Sequence, residues 1–280
     1  MRAGARAPDG SSNVWTVSSI AAALIVRLKA DPGLAALRRS LDVYYGDSAR
    51  ERAMDRLYSR FVRSGDLALD IGSHVGDRIA SFRRLGARVV AVEPQPDCAR
   101  VIRAIHGADR QVELIEAACG AGEGTLLLHV NSANPTVTSA SSAFVTAAQG
   151  AAGWEGQRWD RRLEVPGTTL DTLIAAHGIP AFTKIDVEGF EDEVLLGLGR
   201  PLPALSFEFT TIQRDVAGRC LSRLASLGDY RFNLSLGENH VLALENWLMP
   251  KDMEAHLAAL PHEANSGDVY AVLESVTGDW

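Results

Sequence analysis

Leu67-Ala68-Leu69-Asp70-Ile71-Gly72-Ser73-His74-Val75-Gly76 is the stretch on which the reading of this 280-residue chain turns. Leu67–Ile71 is apolar but for one acid, as expected of a strand buried on both faces. A glycine turn follows, then a helix from about Asp77 to Leu85. Outward from this unit the rhythm repeats: Arg88–Glu93 reads as a second strand, Pro96–Ile105 as a second helix and Gln111–Ala117 as a third strand. Farther on, Phe182–Asp186 and Ala204–Phe209 are strands, followed by helices near Glu191–Leu198 and Asp215–Leu227. Alternation of this kind means an α/β fold of parallel strands with helices on both faces, joined by right-handed crossovers.

The flanks read differently. Residues 1–13 are polar, and helical segments near 18–30, 34–45 and 48–63 form an N-terminal helical extension, 1–63. Ala53, Leu57 and Phe61 recur every fourth position in the last of these, a stripe for the core, with Asp47 or Ser48 as cap. The main domain spans 64–249. Inside it, Gly124–Val130 is a strand able to pair with Arg161–Val165, and Leu170–His177 is a short helix. Between them residues 131–160 form an insertion rich in Ser, Thr, Ala and Gly, long enough to be a substrate lid. Tyr230–Leu234, the turn Gly237-Glu238-Asn239 and His240–Glu245 predict a hairpin, which would place an antiparallel strand in the sheet. Residues 250–280 carry weaker signals, a helix near Lys251–Leu260 and a strand at Val269–Leu273, and read as a C-terminal extension packed on the same domain.

Composition narrows the function. Lys and Arg total 28 against 35 acids, a net charge of −7. Residues 1–63 carry 11 basic and 6 acidic side chains, leaving −12 for the remainder. No dense basic stripe is present, which argues against a nucleic-acid partner. An Asp/Asn-Pro-Pro-aromatic motif for an extruded base is missing as well. The three cysteines, Cys98, Cys119 and Cys220, are odd in number and widely spaced, so neither a disulfide framework nor a zinc site is expected and a reducing cytoplasm is the simplest setting. The apolar run Ile20–Val26 is too short for a membrane span and ends without a convincing signal cleavage site. An apolar N-terminal helix could instead serve a homodimer.

The glycine turn sits where a bare backbone and helical N–H groups can meet a ligand. Glu93 ends the next strand, 17 residues beyond Gly76, where a carboxylate can take two hydrogen bonds from a ribose diol. A dinucleotide fold wants a third glycine for the pyrophosphate, and Gly72 and Gly76 leave none. Asp70 suits a ligand with a cationic amino-acid end and no phosphate. The combination indicates S-adenosylmethionine, held by Asp70, Gly72, Ser73, Gly76 and Glu93. His74 lies inside the turn and could touch the cofactor, while Glu116 and Ala117 close the third strand where an adenine would rest.

Thr183-Lys184-Ile185-Asp186-Val187-Glu188-Gly189 is the second constellation. Lys184, Asp186 and Glu188 share one direction if the strand geometry persists. Charges at the end of an interior strand are poorly explained by packing, and open α/β sheets bind ligands beyond such ends. Glu208, Asn239 and His240 could converge on the same rim.

These motifs resemble those of the FkbM-type family of S-adenosylmethionine-dependent methyltransferases: Asp70 to Gly76, Glu93-Pro94-Gln95-Pro96, Thr169-Leu170-Asp171, and above all Lys184 to Glu191. The resemblance covers about residues 65–246 and departs at Ser73-His74, where the family often has Ala-Asn. It implies a Rossmann-like class I methyltransferase fold: a seven-stranded, mostly parallel sheet of order 3-2-1-4-5-7-6 with the last strand antiparallel. It also implies an O-methyltransferase acting on a hydroxyl of a small molecule such as a sugar, glycolipid or polyketide-type natural product. Asp186, expected at the cofactor too, is then the first choice for base or for orienting the hydroxyl, with Glu188 and His240 in reserve. The carboxylates could instead hold a divalent ion, which is not the expected arrangement. The alternatives are a nicotinamide-dependent oxidoreductase and a non-catalytic nucleoside-binding or protein-interaction module.

Overall fold

A computed structural model describes residues 23–274. Residues 1–22 and 275–280 lie outside the described residues, and with them the polar start, the beginning of the apolar run Ile20–Val26 and the end of the C-terminal extension. The N-terminal part comprises the helical residues 23–30 (α1), a 3-10 turn, Pro32–Leu37, and helices α2 (Arg38–Tyr44) and α3 (Ser48–Tyr58). Asp47 caps α3, accepting from the backbone N–H groups of Ala49 and Arg50. The unit β1 (Leu67–Ile71), α4 (Asp77–Arg84), β2 (Arg88–Val92), α5 (Pro96–His106) and β3 (Val112–Ile115) follows the sequence reading closely.

Next come β4 (Ala118–Cys119) and β5 (Gly124–Val130), then α6 (Ser142–Ala148) and β6 (Arg161–Thr168). Helix α7 (Leu170–His177), β7 (Phe182–Ile185), α8 (Glu191–Leu196), β8 (Ala204–Thr210), α9 (Arg214–Leu227) and β9 (Tyr230–Leu236) continue the alternation. The described chain ends with α10 (Pro250–Ala259) and β10 (Ser266–Leu273).

One sheet has seven strands in the order β3-β2-β1-β7-β8-β10-β9, and β10 runs antiparallel to both of its neighbours. The result is a mixed α/β sheet with flanking helices. A smaller sheet, β4-β6-β5, stands apart and joins Gly124–Val130 to Arg161–Thr168 antiparallel.

The reversed strand is not the one the sequence suggested. His240–Glu245 forms no strand, because the Asn233 side chain takes over the pairing. Its Oδ1 accepts from Leu244 N and its Nδ2 donates to Leu244 O, and the backbone pairing that remains joins Ala243 N–H to the Leu234 carbonyl and Phe232 to Leu248. Ser266–Leu273 inserts between β8 and β9 instead, so residues 266–273 are a strand inside the sheet and not an extension packed upon it. The boundary expected at residue 249 therefore does not separate two structural units.

Alternate residues of the sheet feed two cores. Leu69, Val90, Ile185 and Phe207 face α7 to α10, while Ala68, Ala91, Phe182 and Tyr270 face α3 and α4. The N-terminal helices belong to this packing: Met54, Leu57 and Tyr58 enter the second core, and Ile25, Leu28, Leu34 and Leu41 close over Val75, Cys98 and Val101. Phe182 is fully buried and stacks on Phe61 at 5.0 Å, with Tyr58 at 5.5 Å and Phe82 at 6.1 Å between ring centres. Phe182→Ala should therefore cost about 3–5 kcal/mol, measured by urea unfolding. A loss under about 1 kcal/mol would mean that the N-terminal helices are not held through this ring.

Candidate active site

A cavity of about 310 Å3 opens beyond the carboxyl ends of β1, β2, β7 and β8. That is where open α/β sheets bind ligands, and the volume suits a small-molecule site. Asp70, Ser73, Glu93, Ala117, Asp186 and Glu188 all line it.

The turn after β1 is built by two positive-φ glycines, Gly72 at 82° and Gly76 at 86°. Gly72 lines the cavity, but its bareness serves a second purpose. A Cβ there would lie 1.8 Å from the Asp186 carbonyl oxygen, so the loops after β1 and β7 touch only because residue 72 has no side chain. Gly76 faces the His106 ring, 3.2 Å from where its Cβ would stand, and starts α4. Ser73 donates its hydroxyl to the Asp70 carbonyl at 2.7 Å.

His74 also adopts a left-handed backbone, φ 48°, and its N–H donates to Glu93 Oε2 at 2.8 Å. Its ring meets Tyr44 edge-on with centres 5.8 Å apart, and burial lowers its pKa to about 4, so it stays neutral. Gln95 N–H donates to the other oxygen of Glu93, also at 2.8 Å. Each Glu93 oxygen keeps a further lone pair for a ligand. Burial pushes the Glu93 carboxyl up to about 8. Asp70, 1% exposed, has one oxygen without a partner; burial first, then the Asp77 charge, push it up to about 7.

Lys184, Asp186 and Glu188 do not form one extended row. Strand β7 ends at Ile185, and Glu188 turns back with φ 57°. Lys184 is buried and donates to Asp186 Oδ2 at 2.9 Å. Oxygens of Asp186, Glu188 and Glu208 nevertheless lie within 4.8 Å of one another, a spacing that a divalent cation could bridge. Burial, then the Asp186 charge, raise both Glu188 and Glu208 well above the ordinary carboxylate range. Glu208, expected from the sequence on the same rim, joins this cluster because β8 lies beside β7.

Two expected residues stand elsewhere. Glu116 is exposed and pairs with Arg103, outside the cavity lining, because β3 is the edge strand and its end points to solvent. His240 is also outside the lining, with Nε2 3.2 Å from Glu238 Oε2.

Glu238 leads to residues the sequence did not single out. It accepts from Arg50 at 2.7 Å and from Arg78 at 3.0 Å, and both arginines also hold Asp77. Burial opposes ionisation of Asp77 and Glu238, but the two guanidinium groups keep both below the usual carboxylate range. This paired wall is assembled from α3, α4 and the segment after β9, so no local motif announces it.

The insertion supplies a roof. Ser139 Oγ donates to the Glu188 carbonyl at 2.6 Å, and Thr138 Oγ1 donates to Gln95 Oε1 at 3.0 Å. Part of it is regular, in α6, whose Phe144 packs against Trp154 and Trp159.

In comparisons with known proteins, residues 70–232 match the family described as methyltransferase FkbM domain. No curated protein matches the chain. Solved structures that it resembles include the precorrin-6y C5,15-methyltransferase of Geobacter metallireducens, 13% identical, covering 82% of this chain and 90% of that one at a TM-score of 0.43. Another is an O-methyltransferase of Bacillus cereus in complex with SAH, 14% identical, covering 95% and 92% at 0.38. Among the described residues no helix is long and apolar enough to cross a membrane.

The buried acids carry a pH signature. Asp70 ionises less readily in the folded chain than at the ordinary value of about 3.9. Its contribution to stability is thus full below that value and lost as pH rises through about 7. Ligand-free Asp70→Asn should outlast the native chain at pH 8 by about 1 kcal/mol or more, with a smaller gap at pH 5. Equal stability at both pH values in calorimetric melting would contradict the buried, unpartnered carboxylate.

Proposed function

The chain belongs to the family of FkbM methyltransferase domains, and on that premise we propose that it methylates a hydroxyl of a small molecule such as a sugar, glycolipid or polyketide-type natural product. It is an S-adenosylmethionine-dependent methyltransferase, and the oxidoreductase and non-catalytic readings give way. The observation that carries the hydroxyl reading is the carboxylate cluster of Asp186, Glu188 and Glu208 in the same cavity as Asp70 and Glu93.

The residues fit the cofactor. The unpartnered Asp70 oxygen is a buried acceptor awaiting a cationic donor, and Glu93 is a buried carboxylate with lone pairs for a diol. Bound S-adenosylmethionine supplies a methyl group already activated by its sulfonium. What remains for the protein is to align the nucleophile, exclude water and accept a proton.

An alcohol loses its proton reluctantly at neutral pH, so a base of raised pKa is an advantage. Glu188 and Glu208 have that property. Lys184 occupies one oxygen of Asp186, which suits Asp186 to orient the hydroxyl while the glutamates take the proton. His240, behind Glu238, has no part in this step. The three cysteines are free and buried.

A labelled-methyl assay against hydroxylated sugars, glycolipids and polyketides tests the reading. With a responsive acceptor, Glu208→Gln or Glu188→Gln should slow transfer by about 10²-fold or more. Calorimetric affinity for S-adenosylhomocysteine should barely change. Transfer should rise with pH as the raised carboxyls of Glu188 and Glu208 ionise, and should survive exhaustive chelation. Activity abolished by chelation and restored by magnesium would replace the proton-accepting pair with a bound cation.

A further inference from the structure

The methyl-transfer reading gives Lys184 a contact with Asp186 but no reason for its burial. It is 1% exposed, in a strand whose neighbouring side chain on the same face is the core ring of Phe182. Its stem lies in the second core's face of the sheet, where Asp70 of β1 and Ser206 of β8 are its register partners. An apolar side chain of similar length would fill that place without the desolvation of an ammonium. The ammonium therefore needs a reason beyond packing.

Its contacts supply one. Nζ stands 2.8 Å from Asp268 Oδ1 and 2.9 Å from Asp186 Oδ2, with the Ile185 carbonyl at 3.4 Å. The two carboxylates differ in kind. Asp268 is buried, 6% exposed, in the reversed strand β10, held between β8 and β9. Asp186 has left its strand, its side chain is 32% exposed, and it faces two further acids, Glu188 and Glu208. Three carboxyl groups so close repel one another when ionised, which would drive Asp186, outside its strand and partly exposed, away from the other two. A cation fixed at one end by the sheet and joined at the other to Asp186 opposes that motion.

We propose that Lys184 is a positioning residue, whose buried ammonium, anchored by Asp268, holds the Asp186 carboxylate in the cluster that receives the acceptor hydroxyl. The inference rests on the methyl-transfer reading. It assigns Asp268, which does not line the cavity, a place two contacts away from the chemistry.

Lys184→Met alone strands Asp268 as a buried unpaired charge and could simply unfold the chain. The decisive variant is Lys184→Met with Asp268→Asn, which removes both charges together. It should melt close to the native protein. In its crystal structure the Asp186 carboxylate should have left Glu188 and Glu208. Turnover of a responsive acceptor should fall by about tenfold or more, while the calorimetric affinity for S-adenosylhomocysteine changes far less. Lys184→Arg, which restores a cation to the same stem, should recover part of the lost turnover.

If the double variant keeps Asp186 in place, with turnover within about twofold of native, Lys184 merely neutralises Asp268 and the proposal is overturned. If the native protein methylates no hydroxyl at all, the reading of the reaction fails. The position of Asp186 in the double variant then decides the role of Lys184 by itself.

Discussion

Two loops leave the carboxyl ends of β1 and β7 side by side, and they can touch because Gly72 has no side chain. The Asp186 carbonyl occupies the space a Cβ would need, 1.8 Å away, and the Asp186 N–H donates to the Ile71 carbonyl at 2.9 Å. This contact fixes the distance between two halves of the cavity. One half carries Asp70 and, through the His74 N–H, Glu93. The other carries Asp186, Glu188 and, across β8, Glu208. A side chain at residue 72 would part the cofactor-facing acids from those suited to the acceptor.

The acids around the cavity fall into two electrostatic states. Asp77 and Glu238 are matched by Arg50 and Arg78 and form a fixed wall. Asp70 and Glu93 are buried and Glu188 and Glu208 half-buried, all without a matching cation strong enough to keep them ionised, and their pKa values rise. Such groups cost stability in the free protein and are retained where function needs them. The first pair suits a ligand that brings its own donors, an ammonium and a diol. The second suits a proton that must be taken up. Lys184 and Asp268 stand at the junction of the two states, tying the loop carboxylate of Asp186 to the sheet.

Strands buried on both faces were most legible where their side chains are almost wholly apolar, as in β1 and β2 inside the sheet. The turn at Gly72 and the acids that end β1 and β2 could be read for the same reason: a charge breaking such a run has few purposes other than a site. Legibility failed where partners come from distant segments. His240–Glu245 alternates like a strand, yet the Asn233 amide replaces the ladder at Leu244. Ser266–Leu273 looked weak because Gly267 and Asp268 dilute its apolar run, although Asp268 is the anchor of Lys184. Glu116 resembled Glu93 in its place at a strand end, but β3 is an edge and its terminal carboxylate turns to solvent and Arg103. Arg50, Arg78 and Glu238 meet only after α3, α4 and the segment beyond β9 have folded together.

The most direct measurement is a crystal structure of the full chain saturated with S-adenosylhomocysteine. Its ribose hydroxyls should lie on Glu93 and its amino group against the free oxygen of Asp70, with the sulfur facing the Asp186, Glu188 and Glu208 carboxylates. A nucleoside bound outside the loops after β1 and β2, or its sulfur turned away from those three acids, would contradict that placement.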